Sequence, residues 1–144
     1  MSTDKISVWE AQWSKGDTSF HLPEVNSRLL GYMNELVGVQ ADGVTADPSP
    51  KNVLVPLCGK TRDLVHLHSL GHTVVGCEGV EQACTELFSE NNIQYTRSPI
   101  EGVDGTLFTV STIWLYIWKS SLSNLNAKLW GVEKPRGYSG EWSP

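Results

Sequence analysis

The sequence has few basic residues, few cysteines and no long apolar run, and each shortage excludes a class of protein. Eleven lysines and arginines against sixteen aspartates and glutamates leave a net charge of -5 in 144 residues. Because no basic face is available to neutralise phosphates, we expect neither nucleic-acid binding nor attachment to a membrane surface. The apolar runs are far shorter than the roughly 20 residues that cross a bilayer, and the first ten residues carry no signal-peptide core.

The three cysteines, Cys58, Cys77 and Cys84, are odd in number and lie in apolar stretches. This usage favours reduced thiols in a cytoplasmic protein over a disulfide framework. No CxxC pair is present and His66 and His68 fall on a polar helix side, so we expect no metal site. Cys58 is interpreted as a packing residue rather than a nucleophile.

What is present fits one α/β domain, with an N-terminal segment (1–38), a core (52–109) and a divergent tail (110–144). In the N-terminal segment Trp9 and Trp13 are spaced i,i+4 and can share one helix face. Apolar residues then recur at helical spacing from Leu22 to Leu36, which predicts one helix with Pro23 in its first turn and Gly38 just past its end.

The core predicts a strand–helix–strand–helix unit. Residues 53–55 and 73–77 form apolar runs typical of strands buried on both faces, as in a parallel sheet. Residues 61–70, ended by Gly71, and 80–88 have amphipathic helix patterns. Further on, 93–95 predicts a short third strand and 107–118 one or two strands, whereas 39–51 and 132–144 are predicted to be irregular.

A turn and an acid in this core suggest a nucleotide site. The turn Leu57-Cys58-Gly59-Lys60 follows the first strand, and Glu78 ends the second strand nineteen residues after Gly59. Ligands of α/β sheets bind at this edge, and an acid at about this spacing (~20 residues) can accept ribose hydroxyls. The turn lacks the further glycines of a pyrophosphate loop, which favours S-adenosylmethionine over a dinucleotide. Spacing alone leaves open that Glu78 is a solvated acid and Gly59 a plain turn glycine.

Several motifs in order resemble the thiopurine S-methyltransferase family. Residues 9–21 read WEAQWSKGDTSFH, similar to that family's WxxxWxxGxxxFH segment, and residues 56–60 and 71–78 read PLCGK and GHTVVGCE, similar to its PLCGK…GHxVVGxE signature. The resemblance implies a Rossmann-like, S-adenosylmethionine-dependent enzyme that methylates the sulfur of an aromatic or heterocyclic thiol. That reaction depends mainly on alignment, which can lower a barrier by roughly 7–11 kcal/mol, so no catalytic acid or base is named.

The resemblance also implies site residues by position. The segment containing Trp9, Trp13, Gly16 and Phe20 covers the cofactor, and Phe20 also lies near the thiol acceptor. Leu57 and Gly59 line the methionine end of the cofactor, and Glu78 holds its ribose. Ser121 and Leu122 resemble the family's stretch beside the adenine.

The resemblance weakens after about Thr109. Where the family has an Ile-Trp-Asp-Arg-Gly strand, residues 132–137 read VEKPRG, and nearly half of the family's length has no counterpart. We therefore expect an exposed sheet edge, marginal stability or self-association, and weak or no activity of this chain alone. A non-catalytic cofactor-binding or interaction module remains an alternative, and a dinucleotide-dependent oxidoreductase is a weaker one.

Overall fold

The computed structural model describes residues 5–38, 49–102, 104–111 and 113–118. The predicted tail at 132–144 and most of the predicted 39–51 loop lie outside these residues. The helices are α1 (Lys5–Ser14), α2 (Ser27–Gly31), α3 (Met33–Val37), α4 (Arg62–Ser69) and α5 (Glu81–Glu90). The strands are β1 (Asn52–Pro56), β2 (Thr73–Glu78), β3 (Thr96–Pro99), β4 (Gly105–Val110) and β5 (Ile113–Trp118).

The five strands form one mixed sheet in the order β1-β2-β5-β4-β3. β1, β2 and β5 run parallel, whereas β4 pairs antiparallel with both β5 and β3. The predicted β1-α4-β2-α5 unit and its parallel pairing are confirmed. The 107–118 stretch forms two strands, β4 and β5, and because they are joined by a tight turn they add an antiparallel part to the predicted parallel sheet.

Local signals explain the ends of α4. The Thr61 side chain accepts a hydrogen bond from the backbone N–H of Asp63 at 3.3 Å, as a helix N-cap residue does. After the helix, Gly71 adopts φ +89°, a left-handed conformation that glycine takes without a steric cost. Leu64 and Leu67 of α4 are fully buried, so the predicted helix presents its apolar side to the sheet.

The main core lies between one face of the sheet and the helices. Its buried residues come from α3, α4, α5, the strands β2, β4 and β5 and the loop after β1, and they are Met33, Val37, Cys58, Leu64, Leu67, Val74, Cys84, Leu87, Phe88, Phe108, Ile113, Leu115 and Ile117. A second, smaller cluster on the opposite face consists of Val75, Cys77 and Trp114, with Ile100 and Leu107 packed against it.

Three local predictions were wrong. The predicted 22–36 helix is two short helices: Asn26 caps α2 with its side chain, and the chain breaks at Tyr32. The third strand is Thr96–Pro99 rather than 93–95, because Ile93 and Tyr95 pack against the core before strand pairing begins. β1 is not buried on both faces: Leu54 is 47% exposed, since its side chain points away from the core cluster that Val53 and Val55 join.

Candidate functional site

The carboxyl ends of β1 and β2 lie side by side, which brings the loop after β1 next to Glu78. Pro56 pairs with Cys77 in the parallel register, and two residues later the N–H of Cys58 donates to the carbonyl of Cys77 at 3.0 Å. This hydrogen bond extends the strand pairing into the loop. The loop and the acid that the sequence predicted as one site are therefore neighbours.

The Glu78 carboxylate is held by three backbone N–H groups. Its Oε2 accepts from Gly59 at 2.8 Å, and its Oε1 accepts from Gly79 at 2.7 Å and from Val80 at 2.9 Å. An ionised carboxylate offers about four acceptor sites, so roughly one remains for a further donor such as a hydroxyl. Glu78 is thus oriented by the protein itself, and the interpretation of Glu78 as a freely solvated acid does not describe this half-buried side chain.

The loop after β1 presents one leucine outward and one cysteine inward. Leu57 has φ +50° and a side chain that is 66% exposed. A bulky residue rarely adopts this left-handed conformation, which costs roughly 1–2 kcal/mol. Cys58 points into the core, where burial raises the pKa of its thiol far above the ordinary range. The structure therefore agrees with a packing role for Cys58.

The N-terminal segment folds back on itself as an aromatic cluster. After α1, Gly16 turns the chain with φ +71°, and Phe20 then contacts both tryptophans edge-on, with ring centroids 5.7 Å from Trp9 and 6.1 Å from Trp13. The two tryptophans therefore share one helix face, as predicted. Trp13 is buried against Val80 and Ala83, whereas Trp9 and Phe20 are each about half exposed, at 50% and 51%.

His21 joins this aromatic cluster to the loop after β1. Its ring lies 5.0 Å from the ring of Trp13, and its Nε2 accepts a long hydrogen bond of 3.5 Å from the N–H of Lys60. A Cβ added to Gly59 would lie 2.5 Å from Cε1 and 2.6 Å from Nε2 of His21. His21 was not among the predicted site residues, although the Phe-His pair in the N-terminal motif was a signal for it.

Lys60 and Gln82 tie the N-terminal segment to α5. The Lys60 ammonium binds Glu86 and Glu90 and lies 5.7 Å from the centre of the Trp13 ring. The Gln82 amide nitrogen donates to the Trp13 carbonyl at 3.1 Å and to Glu86 at 2.7 Å. Neither Lys60 nor Gln82 was a predicted site residue, because their partners are distant in sequence.

The predicted site residues thus fall into three groups. Trp13, Gly59 and Glu78 are linked by contacts through His21 and the loop after β1, and Leu57 lies within that loop. Trp9, Gly16 and Phe20 belong to the N-terminal segment, where Gly16 forms the turn and nothing lies within 4 Å of a Cβ added to it. Ser121 and Leu122 lie outside the described residues.

The arrangement suits a small polar ligand with an apolar part. An oriented carboxylate, an exposed leucine and the ring of His21 lie at the carboxyl ends of β1 and β2, the edge at which α/β sheets bind ligands. Within the described ranges, no three His, Cys, Asp or Glu side chains are grouped as metal ligands. In the same ranges, no helix combines the length and the hydropathy needed to cross a membrane.

Comparison with known proteins identifies one family. The family model described as thiopurine S-methyltransferase matches residues 4–122. The chain is 38% identical over 111 residues to the thiopurine S-methyltransferase of Shewanella woodyi, a match covering 75% of this chain and 45% of that protein. It is 31% identical over 107 residues to the probable thiopurine S-methyltransferase of Danio rerio, covering 74% of this chain and 43% of that protein. The chain thus spans less than half the length of these curated relatives.

Proposed function

Because the chain belongs to the thiopurine S-methyltransferase family, we propose that it binds S-adenosylmethionine at the carboxyl ends of β1 and β2 and serves methyl transfer to a small thiol. One observation carries this proposal: the Glu78 carboxylate is fixed beside the Gly59 N–H with acceptor capacity remaining. A sugar diol needs such an oriented acceptor. The exposed Leu57 beside it offers an apolar surface for the rest of the cofactor.

The residue roles in this proposal follow the family resemblance. Glu78 accepts a ribose hydroxyl, and Leu57 and Gly59 line the methionine end. The N-terminal segment with Trp9, Trp13, Gly16 and Phe20 covers the cofactor and excludes water. Ser121 and Leu122 lie beside the adenine. The contact of His21 with Gly59 supports these roles, since it holds the N-terminal segment directly against the loop after β1.

When bound, S-adenosylmethionine supplies an activated methyl group, so this chain has mainly to bind, orient and exclude water. The acceptor in this proposal is an aromatic or heterocyclic thiol. The half-exposed rings of Trp9 and Phe20 support an aromatic acceptor, because such rings pack favourably against another ring. A thiol of low pKa is already an anion at neutral pH and needs no base from the protein.

The alternative of a non-catalytic binding or interaction module shares the same site and differs only in turnover. Since this chain spans less than half of its relatives, we keep the prediction that it transfers methyl groups slowly or not at all when alone. We also propose self-association through the outer edge of β1, where Leu54 is exposed. The free thiols of Cys58, Cys77 and Cys84 support a cytoplasmic location.

The proposal is tested by calorimetric titration of the purified 144-residue chain with S-adenosylhomocysteine and, separately, with NAD. We expect heat of binding with the first ligand and none with NAD, which would also exclude the oxidoreductase alternative. Glu78→Ala should weaken binding by about tenfold or more, since it removes a hydrogen-bonded charge. Glu101→Ala, at an exposed turn, is the matched control and should leave affinity unchanged. Absence of binding by the unmodified, folded chain would overturn the proposal.

A second assay separates enzyme from binding module. Methyl transfer to an aromatic thiol is measured for the chain that binds S-adenosylhomocysteine. Turnover above the uncatalysed rate supports the enzyme, and binding without turnover supports the module. The weaker-activity prediction is contradicted if this chain reaches the turnover of the full-length Shewanella woodyi relative measured in parallel.

A further inference from the structure

Lys60 makes contacts with three separate parts of the fold. It lies in the loop after β1, and its side chain reaches α5, where Nζ lies 2.8 Å from Glu86 Oε2 and 2.7 Å from Glu90 Oε1. The two glutamates are four residues apart on α5, so their carboxylates lie on one face of that helix. The Lys60 side chain is 15% exposed and that of Glu86 30%, which reduces the solvent screening of this pair, whereas Glu90 is 54% exposed and its pair is screened more strongly.

The same ammonium also reaches α1. It lies 5.7 Å from the centre of the Trp13 ring, within the distance at which a cation is attracted to an aromatic face. Glu86 reinforces this link with its second oxygen, because Oε1 accepts from Gln82 and the same Gln82 nitrogen donates to the Trp13 carbonyl. Lys60, Gln82 and Glu86 therefore connect α1, the loop after β1 and α5 in one polar network.

The pKa values of Glu86 and Lys60 favour the charged forms that make these hydrogen bonds. Burial raises the pKa of Glu86, but hydrogen bonds from Lys60 and Gln82, together with the charges of Lys60 and His21, hold that pKa below its ordinary value. Burial lowers the pKa of Lys60, but its hydrogen bonds to Glu86 and Glu90, together with the charges of these carboxylates, raise that pKa above its ordinary value. Lys60 and Glu86 are thus both charged at neutral pH, and charge-assisted hydrogen bonds are the stronger kind.

We propose that Lys60 is a positioning residue that fastens the aromatic N-terminal segment to α5 and so holds it over the loop after β1. The backbone of Lys60 contributes as well, because its N–H donates to His21, whose ring covers Gly59. Without the ammonium, α1 retains the contacts of Trp13 with Val80 and Ala83 and the hydrogen bond from Gln82, but it loses the contact of the Trp13 ring with Lys60. The segment then separates from the loop more often, while the sheet and α4 stay folded.

The attachment of the N-terminal segment to α5 is a property of the unliganded protein. Its effect on cofactor affinity rests on the proposed function. A segment that is already held in place loses less conformational freedom when a ligand binds beneath it. Lys60 should therefore raise affinity for S-adenosylhomocysteine without touching that ligand. The attachment is measured by hydrogen exchange and the binding of S-adenosylhomocysteine by calorimetric titration, so failure of the attachment is distinguishable from failure of the proposed function.

The test is hydrogen exchange of the 144-residue chain, read by mass spectrometry on peptides from α1 and from β2. Lys60→Met removes the charge and keeps roughly the side-chain length, and it should speed exchange in α1 by about tenfold, the change expected when α1 loses a partly desolvated cation–π contact. Exchange in β2 should not change. Lys15→Met makes the same substitution at an exposed site in the N-terminal segment and should leave both peptides as they are.

The Glu86→Gln, Glu90→Gln double variant removes the carboxylate partners of Lys60 on α5 and keeps Lys60 itself. It therefore tests the same attachment if Lys60→Met fails to fold. It should also speed α1 exchange, and adding Lys60→Met to it should add little. Unchanged α1 exchange in both variants overturns the proposal, as does equal acceleration in β2. If α1 exchange responds as expected but the unmodified chain binds no S-adenosylhomocysteine, the attachment stands and the proposed function fails.

Discussion

The imidazole of His21 occupies the space that a side chain at Gly59 would need. The two residues are far apart in sequence, yet the His21 ring lies against the glycine Cα, and Gly59 itself has φ +53°. Glycine is therefore required here for two separate reasons, the left-handed backbone and the close approach of His21. The donor of the 2.8 Å hydrogen bond to Glu78 is the N–H of this same glycine.

Gly59→Ala should destabilise the protein more than the same substitution at Gly102. Both glycines have positive φ, which costs alanine roughly 1–2 kcal/mol, but nothing lies within 4 Å of a Cβ at Gly102. The difference between the two variants in chemical denaturation reports the clash with His21 alone. We expect Gly59→Ala, His21→Ala to be less destabilised than the sum of its single variants. Equal losses for Gly59→Ala and Gly102→Ala would contradict this account.

Mild acid should loosen the N-terminal segment through His21. Burial and the Lys60 ammonium lower the pKa of His21 from 6.5, and they outweigh Glu78, Glu90 and Glu86, which act in the opposite direction. As the pH falls, the unfolded chain therefore takes up the proton before the folded chain does. The stabilisation from neutral His21 is complete above the unfolded pKa of 6.5, and it is lost as the pH falls through the lower pKa of the folded chain.

His21→Gln retains an acceptor for the Lys60 N–H but cannot take up a proton. The free energy of unfolding, measured from about pH 7 to about pH 5, should therefore fall less steeply for this variant than for the unmodified chain. Some slope will remain, because burial and Lys51 also lower the pKa of His72. Parallel pH profiles for the two proteins would show that His21 has no part in the acid response.

Leu57→Gly should leave stability unchanged or raise it by up to about 1 kcal/mol, since glycine relieves the left-handed strain and the exposed leucine contributes little packing. Leu22→Gly is the matched control, because Leu22 is also more than half exposed, at 57%, and has no positive φ. That control should lose about 0.5–1 kcal/mol through chain entropy. Thermal melting compares the stability of the two variants with that of the unmodified chain. An equal loss of stability in both variants would argue against strain at Leu57. If Leu57 lines the cofactor site, Leu57→Gly also binds S-adenosylhomocysteine more weakly.

Leu54→Lys should reduce self-association. Within the described residues β1 pairs only with β2, and its exposed leucine leaves an uncharged apolar edge. The opposite edge strand, β3, already carries Arg97, whose charge hinders edge pairing. Sedimentation velocity over a concentration series should show a dimer constant weakened by about tenfold for Leu54→Lys and unchanged for Thr96→Lys on β3. The prediction is contradicted if the unmodified chain stays monomeric throughout the concentration series.

The β1-α4-β2-α5 unit was predictable because several local signals agree there. Thr61 and Gly71 mark the ends of α4, and Ala83, Cys84, Leu87 and Phe88 of α5 recur at helical spacing and are all buried. The 22–36 segment lacks that agreement. Its apolar spacing predicted one helix from Pro23, but the Asn26 side chain caps a later start and Tyr32 interrupts the helix. Periodicity describes a preference, and capping and packing decide where a helix begins.

The proximity of Gly59 and Glu78 was also predictable, since residues that follow adjacent parallel strands must emerge at one edge of the sheet. Their role toward a ligand stays a prediction. The positions of His21 and Lys60 were not accessible in this way. His21 lies 39 residues before Lys60, and Lys60 meets Glu86 a further 26 residues on. Nothing in their spacing selects these partners, because contacts over such separations depend on how α1 and α5 pack.

Residue order was therefore sufficient for the element types of the core, for the neighbouring positions of the turn and the acid, and for the family. The direction of β4, the exposure of Leu54 and the attachment of the N-terminal segment depended on the folded chain. The physical reason is range: hydrophobic periodicity, caps and turn glycines act over a few residues, whereas burial and ion pairing depend on which distant surfaces meet.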